Sequence, residues 1–462
     1  GWQTLANSGA DGLAFIMQHL NEFDSSLLDP ASHGQLLLDL SAGRMATLDD
    51  VALSAWLAEL SQLPQRQQFW RPSMSVELYA IAQERAANFD VANTCIKLAL
   101  IDTSPSLFAT AIDAALSQQE VFRGTSCEMV LSRYPLEQLL LALSDARELV
   151  RLSAVNALNS RGVTAASTIE AALGDESMKV MHAALHALGG LRAADSLAAI
   201  NAFVGAEYDD MTRSIALKTI GAIGDVSSLS LLTETSRDFS AVVRAASVEA
   251  IAKIGGKEAT AVLSELFADF AGTPLESGFQ QALFMRGAAA CRLVLRPYVL
   301  DFSNAKLSHR AAIIAGRAGE PAAAPYLMQL LADQPRSDEI LNALVSATGS
   351  DNRRQLLPAG VYSAWWEVNS YELPRNWLRN GLIASGFELD EFFDDPTRCS
   401  TKLSVEQLLN GLRSGPERSR ALCAYFLFNL TGVDAQIILD GTPDAELLRR
   451  AQPWQDWLDN LD

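Results

Sequence analysis

His182 and His186 stand four residues apart, the spacing at which one helix can offer two imidazoles to a single metal ion. A zinc-peptidase helix also needs a glutamate directly after the first histidine to act as base, and Ala183 occupies that place. No Cys or acid follows at a matching offset, so the pair reads as polar helix surface and no metal is expected. The run FELDEFFDD, Phe387 to Asp395, holds five carboxylates among aromatic residues. Paired carboxylates can divide acid–base work, but without a histidine or basic companion this run reads as an exposed acidic or docking segment. IGGKEAT, around Gly255, carries part of a phosphate-binding loop. Its first glycine would have to stand where Ile251 is, and Glu258 follows Lys257 where Ser or Thr is required. These groups give no catalytic residue and no cofactor.

The elements that carry such residues repeat. Written from an acid onward, DARELVRLSAVNAL from Asp145, DESMKVMHAALHAL from Asp175, EYDDMTRSIALKTI from Glu207 and DFSAVVRAASVEAI from Asp238 recur at intervals of about thirty residues. The acid stands six residues before a common position held by Arg151, Met181, Arg213 and Arg244, and glycine follows eleven residues later at Gly162, Gly224 and Gly255. Counted from Val150, Val180, Thr212 and Val243, apolar or small residues return at offsets four, five and eight. At about 100° per residue these positions form one apolar arc of a helix. This helix is the second of its unit, and the first helix of each unit follows the glycine, as in GVTAASTIEAAL from Gly162 and GKEATAVLSELF from Gly256. Short amphipathic pairs cannot bury their apolar faces alone, and stacking on neighbours solves that.

The arginine falls within the apolar arc, where an unpaired guanidinium is costly. The acid of the preceding turn is placed to answer it. Asp145–Arg151, Glu207–Arg213 and Asp238–Arg244 therefore read as structural ties, while Asp175, facing Met181, is left to accept from a neighbouring unit's arginine. At offset six stand Asn156, His186, Lys218 and Glu249, opposite the apolar arc, with His182 one turn before His186 on the same open face. This column reads as a surface for a partner or as ordinary solvated polarity.

An acid in the turn, arginine beneath it and glycine closing the helix resemble the HEAT-repeat family, in particular the short bacterial variants found in phycobilin-lyase-type proteins. The resemblance is clear over residues 140–270 and weaker over 280–345, where HRAAIIAGRAGEPAAAPYLMQLL from His309 keeps the rhythm with an early glycine and no acid. It implies an all-α fold, an alpha-alpha superhelix of antiparallel helix pairs (a HEAT-like solenoid), with atypical helical N- and C-terminal flanks. It also implies that the second helices line an inner surface, and that the usual work is scaffolding and protein–protein contact. HEAT-like di-iron hydroxylases carry His-Glu dipeptides, and no histidine of this chain precedes Glu.

Composition narrows the partners. Of 462 residues 49% are hydrophobic and 7% aromatic, which suits close-packed helices, and 36 basic against 55 acidic residues give a net charge of −19. Nucleic acid and anionic membrane surfaces are disfavoured, because both need clustered Lys and Arg, and the longest basic runs are the pairs Arg353–Arg354 and Arg449–Arg450. A basic protein partner is favoured. Five scattered cysteines without a CxxC pair read as reduced thiols of a cytoplasmic protein. The chain divides by pattern into a helical N-terminal region (1–135), a repeat array (136–350) and an aromatic-rich C-terminal region (351–462), with Pro, Gly and aromatics at 357–377 marking the second boundary. All eight tryptophans lie in the flanks: Trp2, Trp56, Trp70, Trp365, Trp366, Trp377, Trp454 and Trp457. They either cover the end faces of the array or line a site. The expected function is a non-enzymatic adaptor or inhibitor gripping another protein along a curved acidic surface. The alternative is an enzyme of the bilin-lyase kind holding a large ligand in the repeat groove.

Overall fold

The computed structural model describes residues 48–62, 72–301, 303–353, 357–389, 393–394, 400–414, 419–438 and 443–460, and among these every regular element is a helix. Trp2, Trp70, Cys399, Thr47 of a capping-box-like start, and Asp390, Glu391 and Asp395 of the acidic run lie outside the described residues. The chain forms two compact units, Gly1–Ala199 and Ile200–Asp462.

The first unit contains α1 (Asp50–Gln62), α2 (Pro72–Glu84), α3 (Phe89–Ala99), α4 (Phe108–Ser117), α5 (Glu120–Arg133), α6 (Leu136–Ala142), α7 (Glu148–Asn159), α8 (Ala166–Ala171) and α9 (Met178–Gly190). Alternate helices stack: α3 on α1, α5 on α3, α7 on α5 and α9 on α7. Pro105 separates α3 from α4, since its ring holds Ser104 extended and it has no N–H to continue a helix. The division between units falls within α10 (Leu197–Asn201).

The second unit continues the pairing with α11 (Asp210–Ile223), α12 (Leu229–Thr235), α13 (Ala241–Ile254), α14 (Gly256–Phe270), α15 (Glu276–Arg286), α16 (Ala288–Leu300), α17 (Ala305–Arg317), α18 (Ala324–Asp333), α19 (Asp338–Thr348), α20 (Pro358–Asn369) and α21 (Pro374–Ala384). Here α13 lies on α11, α15 on α13, α16 on α14 and α19 on α17, and the pattern runs on through 357–377 as α20 on α18 and α21 on α19. Helices α22 (Thr401–Ser414), α23 (Arg420–Thr431) and α24 (Asp444–Asp459) share a further core with α21, built around Leu409, Phe426 and Trp454.

The apolar arc read from the sequence is the buried stripe. Val150, Ala154, Val155 and Leu158 of α7 are fully buried, as are Val243, Ser247 and Ile251 of α13. Each such aliphatic side chain contributes roughly 1.5–3 kcal/mol against its exposed state. Between α11 and α13 the approach is closer than side chains permit. A Cβ at Gly221 would lie 2.5 Å from the Ala250 Cα. Gly224 ends α11 at φ 83°, a left-handed conformation that glycine adopts without the Cβ clash.

Arg151 and Arg213 are buried and Arg244 is half-buried, but the carboxylates that answer Arg151 and Arg213 come from elsewhere. Arg151 donates from Nε and Nη2 to the two carboxylate oxygens of Asp175, at 2.8 and 3.0 Å, and from Nη1 to the Asp145 carbonyl at 2.9 Å. The Asp145 carboxylate is taken by Arg147. Arg213 likewise donates to the carboxylate of Asp238 and to the Val204 carbonyl, and Glu207 is exposed rather than paired with it. Arg244 donates to the carbonyls of Asp238 and Phe239 at 2.8 and 2.9 Å. The expected ties Asp145–Arg151, Glu207–Arg213 and Asp238–Arg244 are thus corrected. The turn before each helix gives a carbonyl (at Arg213, that of Val204), while for Arg151 and Arg213 the charge comes from the turn of the following repeat. Stacking brings that next turn alongside the guanidinium, where Asp175 and Asp238 also cap their own turns by accepting from the Ser177 and Ser240 amides at 2.8 Å.

After α23 the chain returns to the middle of the second unit. Ile437 N–H donates to the Phe284 carbonyl at 2.9 Å, and the Asp434 carboxylate accepts from Ala289 N–H at the start of α16. Burial pushes the Asp434 carboxyl above its ordinary value, against the pull of the amides of Ala288, Ala289 and Ala290. Gly287 makes room for it, because a Cβ there would sit 2.2 Å from Asp434 Oδ1.

Two outcomes follow from these contacts. The guanidiniums of Arg151 and Arg213 hold the carboxyls of Asp175 and Asp238 below the usual carboxylate range. Their stabilisation is therefore complete above the unfolded value of about 3.9 and is lost as pH falls through the lower folded values. Asp175→Ala or Asp238→Ala is expected to lower stability by about 2 kcal/mol near neutral pH and to weaken the acid-side decline, whereas Glu207→Ala changes it by less than about 0.5 kcal/mol; urea unfolding of the three variants across acid pH checks this. Gly221→Ala improves local helix propensity yet is expected to destabilise by about 1–3 kcal/mol, because α13 must move away, a result readable from the same unfolding curves.

Candidate functional site

The polar column divides between the two units. Asn156 on α7 and His186 on α9 are exposed in the first, and His182, one turn before His186, is half-buried. Both histidines have interactions within the protein, and among the described residues no group of three His, Cys, Asp or Glu side chains is placed to hold a metal ion. In the second unit Lys218 on α11 and Glu249 on α13 face each other, with Nζ–Oε2 at 3.6 Å. Lys253 reaches the other oxygen of Glu249 at 2.7 Å. Burial works against the ionised Glu249, but the two ammoniums outweigh it and hold its carboxyl below the ordinary value. A side chain offered to a partner at Lys218 or Glu249 is therefore already engaged across the repeats. Such half-exposed pairs are worth little to stability.

Cys95, Cys127, Cys291 and Cys423 are all buried. Burial pushes the thiols of Cys95 and Cys127 up to about 12, and those of Cys291 and Cys423 are also raised. A buried thiol raised in this way stays protonated near neutral pH and is a poor nucleophile.

The more enclosed site lies in the second unit, where the sequence flagged only its tryptophans. A half-open cavity of about 290 Å³ is bounded by the end of α19 with Ser350 and Asp351, by Trp365 and Asn369 of α20, by Trp377, Asn380 and Ser385 on and after α21, and by Leu422 of α23. Two glycines set its floor. Gly349 is left-handed at the end of α19, and a Cβ on Gly381 would lie 2.6 Å from the Gly349 carbonyl oxygen. The indole of Trp377 meets those of Trp365 and Trp366 edge to face, with centroids 5.5 Å apart in each case. Trp377 is buried and its Nε1–H donates to the Asn369 carbonyl at 2.8 Å, and Asn369 Nδ2 donates to the Trp365 carbonyl at 2.7 Å. Tyr362 Oη donates to the Ser350 carbonyl at 2.6 Å, fixing the loop that carries Asp351. Arg353 binds both oxygens of Asp351 at 2.9 and 2.8 Å and spends Nη1 on Asn342.

Of the other flanking tryptophans, Trp454 fills the C-terminal core and donates to the Val433 carbonyl at 3.1 Å. Among the described side chains, Trp365 and Trp377 thus line the cavity while Trp454 lies in the core. Asn369 and Asn380 went unread, although each follows a tryptophan at helical face spacing, Trp365 by four residues and Trp377 by three. A shallower groove of about 670 Å³ opens between α12 and α14, lined by Leu229, Thr233, Arg237, Val262 and Glu265 among others.

The family model described as HEAT repeats matches residues 206–283. No curated protein matches the chain. Among solved structures it is similar to Kap121p, at 14% identity over 93% of this chain and 46% of that one, with a TM-score of 0.37. It is also similar to a chain in the structure of Kap95p binding to RanGDP, at 14% identity over 91% of this chain and 64% of that one, with a TM-score of 0.38. For Kap121p bound to Nup53p the figures are 13%, 92%, 46% and 0.37. The chain spans less than two thirds of the length of each. Within the matched stretch the motif occurs twice, at Glu207, Arg213 and Gly224 and at Asp238, Arg244 and Gly255. Residues 206–283 are HEAT repeats.

Proposed function

We propose that this chain is a protein-binding scaffold, an adaptor or inhibitor that offers its repeat faces to a basic protein partner in the cytoplasm. The observation that carries this reading is the run of HEAT repeats over 206–283. Repeats of this kind spend their conformational order on presenting surface, since each pair contacts its neighbours and leaves its remaining faces to solvent. The open groove between α12 and α14 is shaped for an extended contact rather than for enclosing a small substrate. A net charge of −19 attracts a basic partner at long range and repels nucleic acid.

Affinity purification of the tagged full chain from its native host, followed by mass spectrometry, is expected to recover one stoichiometric basic protein. Raising salt from dilute to about 0.5 M should weaken that complex by roughly tenfold or more. A triple variant His186→Ala, Lys218→Ala, Glu249→Ala should keep its helical circular dichroism and lose capture. Unchanged capture removes the column from the contact surface, and the absence of any protein partner overturns the scaffold reading.

A further inference from the structure

We propose that the edge formed by Met211, Phe239 and Val242 is the seat of a basic amphipathic segment of the partner, an inference that rests on the scaffold reading. A single apolar side chain in water is ordinary, but here three share one edge of neighbouring repeats. Met211 and Val242 stand in the first turns of α11 and α13 and are more than half exposed, and Phe239, in the turn before α13, is fully exposed. The Ser240 hydroxyl donates to Asp210 Oδ2 at 2.6 Å, which holds the two helix starts side by side. Met211 lies seven residues before Lys218, and Val242 seven before Glu249. Two helical turns separate each pair, so the apolar edge continues along the face of the polar column.

Phe239 is presented on a backbone that is already fixed. Arg244 Nη1 binds the carbonyls of Asp238 and Phe239, and the Asp238 carboxylate accepts from the Ser240 amide. The ring keeps only its own two torsions, so burying it against a partner costs little order. The charge around the edge selects the occupant. Glu207, Asp209 and Asp210 directly precede Met211, and Asp238 precedes Phe239. Against these four carboxylates stand Arg213, committed to Asp238 and 3.7 Å from Asp210, and Arg244, held by the carbonyls of the turn. The hydroxyl on Asp210 is neutral and Glu207 is exposed, so negative charge borders the apolar edge. Arg237, the cation before this turn, is paired with Asp269. The matching segment carries apolar side chains for the edge and lysines or arginines beside them. A second copy would set acid against acid, and an anionic membrane is repelled in the same way.

The test is fluorescence anisotropy of the full chain with a fluorescein-labelled helical peptide of leucine and lysine. It runs beside one peptide with glutamate for every lysine and one with serine for every leucine. The leucine–lysine peptide is expected to bind, and each counterpart to bind ~10-fold more weakly or worse. The Phe239 ring lies in water, so Phe239→Ala is expected to keep the melting temperature and to lose ~10-fold in affinity. Met211→Ser with Val242→Ser should lose as much, and Glu207→Gln with Asp210→Asn ~3-fold. Equal binding of the three peptides, retained binding by Phe239→Ala, or no binding of the leucine–lysine peptide overturns the proposal. So does Phe239-dependent binding to phosphatidylcholine vesicles, or a Phe239-dependent dimer in sedimentation. Capture of the partner by Phe239→Ala is measured in parallel. Full capture leaves the scaffold and removes this edge from it; Phe239-dependent peptide binding without any captured protein supports the edge and overturns the scaffold.

Discussion

A guanidinium buried beneath a turn must be answered by a charge, and in this fold that charge is supplied by the next repeat. Arg151 and Arg213 each hold a carbonyl preceding their own helix with one part of the fork, and the carboxylate of the following turn with another. Five donors in one plane allow both at once, in a planar fork that a lysine ammonium does not have. The pair fixes the spacing between successive turns, so the helices above and below must meet along their apolar arcs. Asp175 and Asp238 add the same service to their own turns through the amides two residues on. One residue type therefore sets both the shape of the turn and the register of the stack.

How much of this could be read from the chain follows from the range of each interaction. The arcs at offsets zero, four, five and eight are local, set by helical period alone, and Val150, Ala154, Val155 and Leu158 are buried as that period requires. The arginine position was also legible, because a charged residue inside an apolar arc must lie beneath something. Its partner was not. Asp145 is six residues away and Asp175 twenty-four, and only the stacking distance between repeats decides which carboxylate arrives. Similarly, Lys218 and Glu249 stand in register in the sequence, but their mutual attraction depends on how closely Gly221 lets α11 approach α13. The tryptophan-lined cavity was half visible. The aromatics announced it, while its floor depends on Gly349 meeting Gly381, a contact between helices that no local pattern records.

The two kinds of surface differ in what they can recognise. The repeat faces are broad and weakly enclosed, suited to many small contributions and to long-range attraction by charge. The cavity at α19–α21 is small and its walls are already ordered, with Trp377, Asn369 and Tyr362 each held by a hydrogen bond. Order of that sort reduces the entropy lost on association. It sits where regular pairing gives way to the C-terminal core, so the packing that covers the last pair also shapes the hollow.

The return of the chain to Phe284 and Ala289 changes how the second unit behaves as a polymer. A plain array of repeats is joined only neighbour to neighbour, and its end can fray without consequence for the middle. Here the amide of Ile437 and the carboxylate of Asp434 close a loop of some 145 residues onto α15 and α16. Unravelling from the C-terminus must break that clasp before any helix pair can peel away. The second half of the unit therefore yields as a single body under tension, as a buckled strap does and an open spring does not.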